Sequence, residues 1–225
     1  MLKRLPICGF LLLLAPSLRA GEVIDRVVAS VNGQVILQSD WDDELHYEGL
    51  MSGKMSTSSL DDRKAALDRL VDQLLVQEQP RPANFDVPTP EQVEKQLQEI
   101  RSEYVREHSQ NSWSETLSRY GLTESELRTR IALELTQLKL IDARLRPSVQ
   151  VDERAVTDYY NRQLMPELRR SGSQPPTLQE ATPQIREILI QQKINEALPS
   201  CLEGLRSQAQ IRVLVPDSGH EGQGQ

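Results

Sequence analysis

The hydrophobic pattern changes period twice along the chain. Val23–Leu37 is rich in β-branched residues and carries Asn32-Gly33 at its centre. Asn and Gly can both take positive φ, as a type I′ turn requires. The pattern therefore predicts a two-residue hairpin of Val27–Val31 and Gln34–Leu37. Ser39 reads as an N-cap with acids behind it, so a helix is expected from Asp40 to about Gly49. From there the apolar spacing is helical. Leu67, Leu70, Val71, Leu74 and Leu75 form one stripe in a helix over Leu60–Gln79, which Pro80-Arg81-Pro82 ends. Thr89-Pro90-Glu91 opens the next helix, with Val93, Leu97, Ile100 and Tyr104 on one face.

His108–Ser112 is a polar break before a short helix, Ser112–Tyr120, stopped by Gly121. Thr123 and Glu126 form a capping box. The helix behind it carries Leu127, Ile131, Leu135, Leu138, Ile141 and Leu145, and ends before Pro147. Asp152 caps a helix containing Tyr159 and Tyr160, and Arg169–Pro176 reads as a connector. Leu178–Arg206 is a long helix with Ile185, Ile188, Leu189, Gln192, Leu198 and Leu202 on a face. Pro183 fits its first turn, whereas Pro199 is expected to kink or interrupt it. Ile211–Val215 alternates like a strand.

A lone hairpin is marginal in water, so its strands need a third partner, and Ile211–Val215 is the other good candidate. The expected fold is mainly α: a multi-helix core with a small antiparallel sheet built from the N-terminal hairpin and the C-terminal strand. The core is expected to span 21–215, as an N-terminal region 21–146 completed by 147–215. A Gly/Gln-rich tail, 216–225, is expected to be disordered.

Met1–Ala20 has another pattern. Lys3 and Arg4 precede the apolar run Phe10–Ala15, and Ser17-Leu18-Arg19-Ala20 ends on a small residue. This order marks a secretory signal peptide, cleaved near Ala20, and the run is too short to span a bilayer. Cleavage removes three positive charges and no acid, taking the formal charge from −7 to −10. An acidic surface argues against nucleic acid and against docking on anionic lipid. Cys8 leaves with the leader, so Cys201 stands alone and no intrachain disulfide is expected. The balance of aliphatic, Gln, Glu and Arg residues, with 4% aromatics, suits helices packed through aliphatic side chains.

Catalytic chemistry finds little support. His46, His108 and His220 form no metal-binding spacing, and no second His or Cys stands near them. No nucleophile elbow or phosphate loop is present. Asp42-Asp43 and Asp61-Asp62 sit at helix starts, where they serve the helix dipole. The chain therefore reads as no enzyme and as needing no cofactor or metal.

Five segments in order carry a resemblance. They are VIDRVVASVNGQVILQSD (Val23–Asp40), RKAALDRLVDQLLVQEQ (Arg63–Gln79), YGLTESELRTRIALELTQLKLIDARLR (Tyr120–Arg146), VDERAVTDYY (Val151–Tyr160) and Leu178–Val215. Together they resemble the SurA family of periplasmic chaperones. That family carries parvulin domains inserted after a VDERAVTDYY-like segment. Here only Asn161–Thr177 follows before the last helix, less than the roughly 50 residues a domain needs. The parvulin signatures are missing too, so prolyl isomerisation is expected to be absent.

The resemblance implies ATP-independent holding of unfolded outer-membrane proteins in the periplasm, with no membrane insertion. Trp41, Tyr47, Met51, Met55 and Trp113 are the candidate client contacts, each weighed against a place in the core or a loop. Met51 and Met55 enter because a flexible thioether suits an adaptable surface. Two rival functions stand beside this one: a prolyl isomerase of the parvulin type, and an accessory module for one secreted partner.

Overall fold

The computed structural model describes residues 25–54, 59–83, 85–107, 112–172 and 174–214. Residues 1–20, expected as a signal peptide, Met55, His108, the tail 216–225 and His220 lie outside them.

The hairpin is β1 (Val27–Val31) paired antiparallel with β2 (Gln34–Leu37). Asn32 and Gly33 turn it at φ 49° and 91°, the left-handed pair that matches strand twist. The last strand, β3 (Ile211–Val213), lies antiparallel on the far side of β1, so the order is β2-β1-β3. Asn32 also locks this third strand. Its backbone N–H donates to the Gln210 carbonyl at 3.0 Å, and its side-chain oxygen accepts from Gln210 N at 2.8 Å. The strand is shorter than the alternation suggests, and Val215 falls outside the described residues.

Eight α-helices follow among the described residues. They are α1 (Gln38–Ser52), α2 (Leu60–Gln77), α3 (Pro90–Glu107), α4 (Trp113–Arg119), α5 (Glu124–Leu145), α6 (Glu153–Tyr159), α7 (Met165–Ser171) and α8 (Leu178–Gln208). Caps set their starts. Ser59, Ser112, Thr123, Asp152 and Thr177 each accept a hydrogen bond from the third residue on.

Four local expectations are corrected. Ser39 does not cap α1. The helix starts at Gln38, and Asp40 reaches back to Leu37 N at 2.8 Å. Ser39 instead donates to the Asp25 carboxylate, pinning the chain entry. The helix continues past Gly49 to Ser52 and ends on left-handed Gly53. Helix also extends into the expected connector, since α6 runs through a π-helical stretch, Tyr160–Leu164, into α7. Finally, α8 is assigned unbroken through Pro199, and Pro183 sits beyond its first turn. Pro183 and Pro199 each remove one N–H from these 31 residues, and packing along α8 holds the helix through both.

Three buried clusters hold the fold. The first joins the hairpin, α1 and α2, including Val28, Val31, Ile36, Trp41, Leu45 and Leu75. The second joins the end of α1 to α3, α4 and the first half of α5, around Leu97, Leu117, Leu127 and Ile131. The third packs Val156 of α6 on Ala181 and Ile185 of α8.

Arg206 ties the end of α8 to α2. It donates to Asp72 Oδ1 at 2.6 Å, Asp68 Oδ1 at 3.2 Å and the Asp68 carbonyl at 2.8 Å. The group is half-exposed, so R206A is expected to cost only about 1–2 kcal/mol. A fall in the urea midpoint with unchanged slope would show it.

Candidate functional site

Helix α5 changes character halfway. Leu127 and Ile131 are buried against α3. Further along, the same apolar spacing continues without full cover. Leu135 and Ile141 are half-buried and Leu138 is 61% exposed. Helix α8 crosses this half, yet among its described residues just Ala181, Ile185 and Ile194 are fully buried. Of the stripe read from periodicity, Ile185 is buried and Ile188 exposed, and Ile194, outside that stripe, is buried.

The uncovered side chains line three adjoining clefts. One of about 520 Å³ lies between α5, α8 and the 82–86 segment, lined by Phe85, Leu135, Leu138, Ile141, Ile194 and Leu198. A second of about 320 Å³ lies between α1, α2, α5 and α8, with Tyr47, Met51, Val76, Ile141 and Leu202 on its walls. A narrow slot holding Leu198, Cys201, Leu202 and Ile141 joins them. Ile141 belongs to all three, so they form one apolar trough along the α5–α8 crossing.

The two ends of the trough differ in charge. At the larger cleft the ions are paired. Lys139 donates to Asp86 at 2.6 Å. Arg146 forks onto both Asp142 oxygens at 2.8 Å and onto Glu187 of α8 at 2.7 and 2.9 Å. These hydrogen bonds from Arg146 hold the Glu187 carboxyl down at about 2, from its ordinary 4.5, and lower Asp142 as well. A depressed carboxylate stabilises the fold above its unfolded pKa and loses that contribution as pH falls through the folded value. The α5–α8 clamp is therefore expected to weaken as pH drops from about 4.5 toward about 2. Burial raises Glu48 and Asp43, which work in the opposite sense. The slope of urea midpoint against pH over this range is expected to flatten in R146Q.

The smaller cleft rests on a polar knot of α1, α2 and α5. Glu44 of α1 is 2% exposed. Arg130 of α5 donates to it, Arg69 of α2 lies 3.6 Å away, and Gln73 Nε2 donates at 3.4 Å. Arg69 also pairs with Glu48. Arg130 stacks over the Tyr47 ring at 5.0 Å, and the Tyr47 hydroxyl donates to Glu134 at 2.6 Å. Burial pushes the Tyr47 phenol far above its ordinary value, so it remains a donor.

The five candidate contacts separate on this map. Trp41 is buried in the first cluster, its Nε1 donating to the Arg63 carbonyl at 2.6 Å. Trp113 is buried in the second, with Nε1 donating to Glu124 at 3.2 Å. Tyr47 is mostly buried, though an edge forms the wall of the trough. Met51 stands at its rim, 51% exposed. Met55 falls outside the described residues.

The residues that line the trough most fully, Leu135, Leu138, Ile141, Leu198 and Leu202, were legible as helical stripes and read as core. The usable signal was an excess. The α5 and α8 stripes together carry more apolar positions than two crossing helices can cover. Described residues offer no group of three His, Cys, Asp or Glu able to hold a metal ion. His46 lies on the exposed side of α1, against Gly121. No described helix is long and apolar enough to cross a membrane.

A family model described as the SurA-like N-terminal domain matches residues 7–141. Comparison with curated proteins finds no match. The family match ends inside α5, so α6, α7, α8 and β3 lie beyond it. It covers more than half of the 225 residues, through the hairpin and α1–α4 in the expected order. The chain belongs to the family of the SurA-like N-terminal domain.

Proposed function

We propose that this chain is an ATP-independent holdase that binds unfolded polypeptides, outer-membrane proteins foremost, in the α5–α8 trough. Its working place is the periplasm, after removal of the leader. The observation that carries the reading is the trough itself: a run of half-exposed Leu and Ile side chains along two crossing helices, with Met51 at the rim. A contiguous apolar surface of this kind marks a binding site for other chains. Aliphatic side chains line the larger cleft and the slot, and charged groups join them in the smaller cleft, a mixture that suits many sequences more than one. A holdase without ATP works by mass action. It binds the unfolded chain reversibly and lowers the free concentration that aggregates.

We assign no catalytic step to the chain. Prolyl isomerisation would speed a proline-limited refolding phase, and this protein is expected to leave that phase unchanged.

The direct test is suppression of light scattering by an unfolded outer-membrane protein. Equimolar chain is expected to suppress it equally with and without ATP. L138D, at an exposed position, is expected to keep stability within about 0.5 kcal/mol. It places a charge in the apolar lining, and is expected to weaken suppression several-fold. Scattering unchanged by the wild-type protein would end the holdase reading. Suppression confined to one secreted protein would favour the accessory module instead.

A further inference from the structure

We propose that in the uncleaved 225-residue chain the leader, residues 1–20, occupies the trough as an intramolecular client, so that cleavage of the leader frees the site. This rests on the trough being the client site.

Three features converge on this occupant. The first is apolar match. Phe10–Ala15 contains four consecutive leucines, and the trough presents exposed Leu138 and half-buried Leu135, Ile141, Leu198 and Leu202.

The second is charge. The leader carries Lys3, Arg4 and Arg19 and no acid before Glu22. The smaller cleft is lined by Glu44, Glu48, Asp72 and Glu134, and these four acids outnumber by one the three cations that pair with them, Arg69, Arg130 and Arg206. Glu44 and Glu48 share Arg69, so a second cation at this end of the trough meets a remaining acidic excess.

The third is reach. The described chain begins at Asp25, which is fastened to Ser39 at the start of α1. Met51, at the rim of the trough, stands near the far end of the same helix. A helix of this length spans about 22 Å, whereas 24 extended residues reach up to about 80 Å. A tethered segment within reach acts at an effective concentration of order millimolar. A weak contact of its own is then enough to compete with a free client.

The sequence supplies its own probe. Its two cysteines are Cys8, two positions before the apolar run, and Cys201, half-exposed in the slot that joins the clefts. The experiment compares the uncleaved 225-residue protein with a chain starting at Gly21. Both are assayed for affinity toward a fluorescent unfolded outer-membrane polypeptide. The long chain is also treated with a short bismaleimide under native conditions and in urea.

The Gly21 chain is expected to bind the polypeptide about tenfold more tightly. The native long chain is expected to give a monomeric Cys8–Cys201 cross-link that disappears in urea and in C201S. Replacing Leu11–Leu14 by glutamine is expected to abolish the cross-link and restore affinity. Equal affinity of the two chains, or a cross-link as frequent in urea as in buffer, overturns the inference while leaving the trough as client site. A Gly21 chain with no affinity for the polypeptide overturns the proposed function itself.

Discussion

Replacing Arg130 by methionine is expected to lower the unfolding free energy by about 3–5 kcal/mol, because it strands a charge inside the protein. Glu44 is 2% exposed and looks to Arg130 for its close ion pair. Arg69, at 3.6 Å, is shared with Glu48 and cannot replace that partner fully. The same substitution removes the cation from the Tyr47 ring and a neighbour of Glu134. Most of the loss comes from the uncompensated carboxylate, not from the worth of the pair. The double variant E44M/R130M is therefore expected to recover much of the stability. Urea denaturation of the two single variants and the double, compared as a cycle, measures this. A double variant no more stable than R130M would show that the knot stabilises by packing and not by charge compensation.

Removing the chain after Gln208 is expected to be as severe, at roughly 3–5 kcal/mol from the backbone bonds alone. The truncation deletes β3 and its ladder to Ala29, Ser30 and Val31. It also deletes both contacts from Asn32 to Gln210 and the bond from Leu214 N to the Val28 carbonyl. Val28, Ala29 and Val31 are fully buried in the intact fold, and the edge of β1 would then face water. A two-stranded hairpin has little stability of its own. Hydrogen exchange should show the hairpin amides losing protection well before those of α3 and α5, which belong to a separate cluster. Uniform protection in the truncated chain would show that the hairpin stands on α1 and α2 alone.

The caps and turns were legible because their chemistry is local. Asn32-Gly33, Thr123 and Asp152 each act within a few residues of themselves, and each stands where the sequence puts it. The misreadings came from places where distant groups compete. Ser39 has the right residue type for a cap, but Asp25 takes its hydroxyl and Asp40 takes over the helix start. Pro199 removes a hydrogen bond, but α8 is held on both sides of it, by Ile194 and by Arg206. Trp41 and Trp113 were candidate contacts weighed against a place in the core, and both are buried. Their burial follows from which helices cross over them.

The trough shows the same division most clearly. Periodicity establishes that Leu135, Leu138 and Ile141 share a face of α5, since residues three and four apart lie together on a helix. It also establishes that α8 is apolar along much of its length. What covers each face depends on the crossing of the two helices and on where the 82–86 segment passes, which no local spacing encodes. The amino-acid order by itself determined the helices, the hairpin, the leader pattern and the family likeness, because each rests on interactions a few residues long. The tertiary structure decided that β1 lies between β2 and β3, that Glu44 is buried against Arg130, and that part of the apolar stripe remains open, because each of these depends on groups far apart in sequence meeting in space.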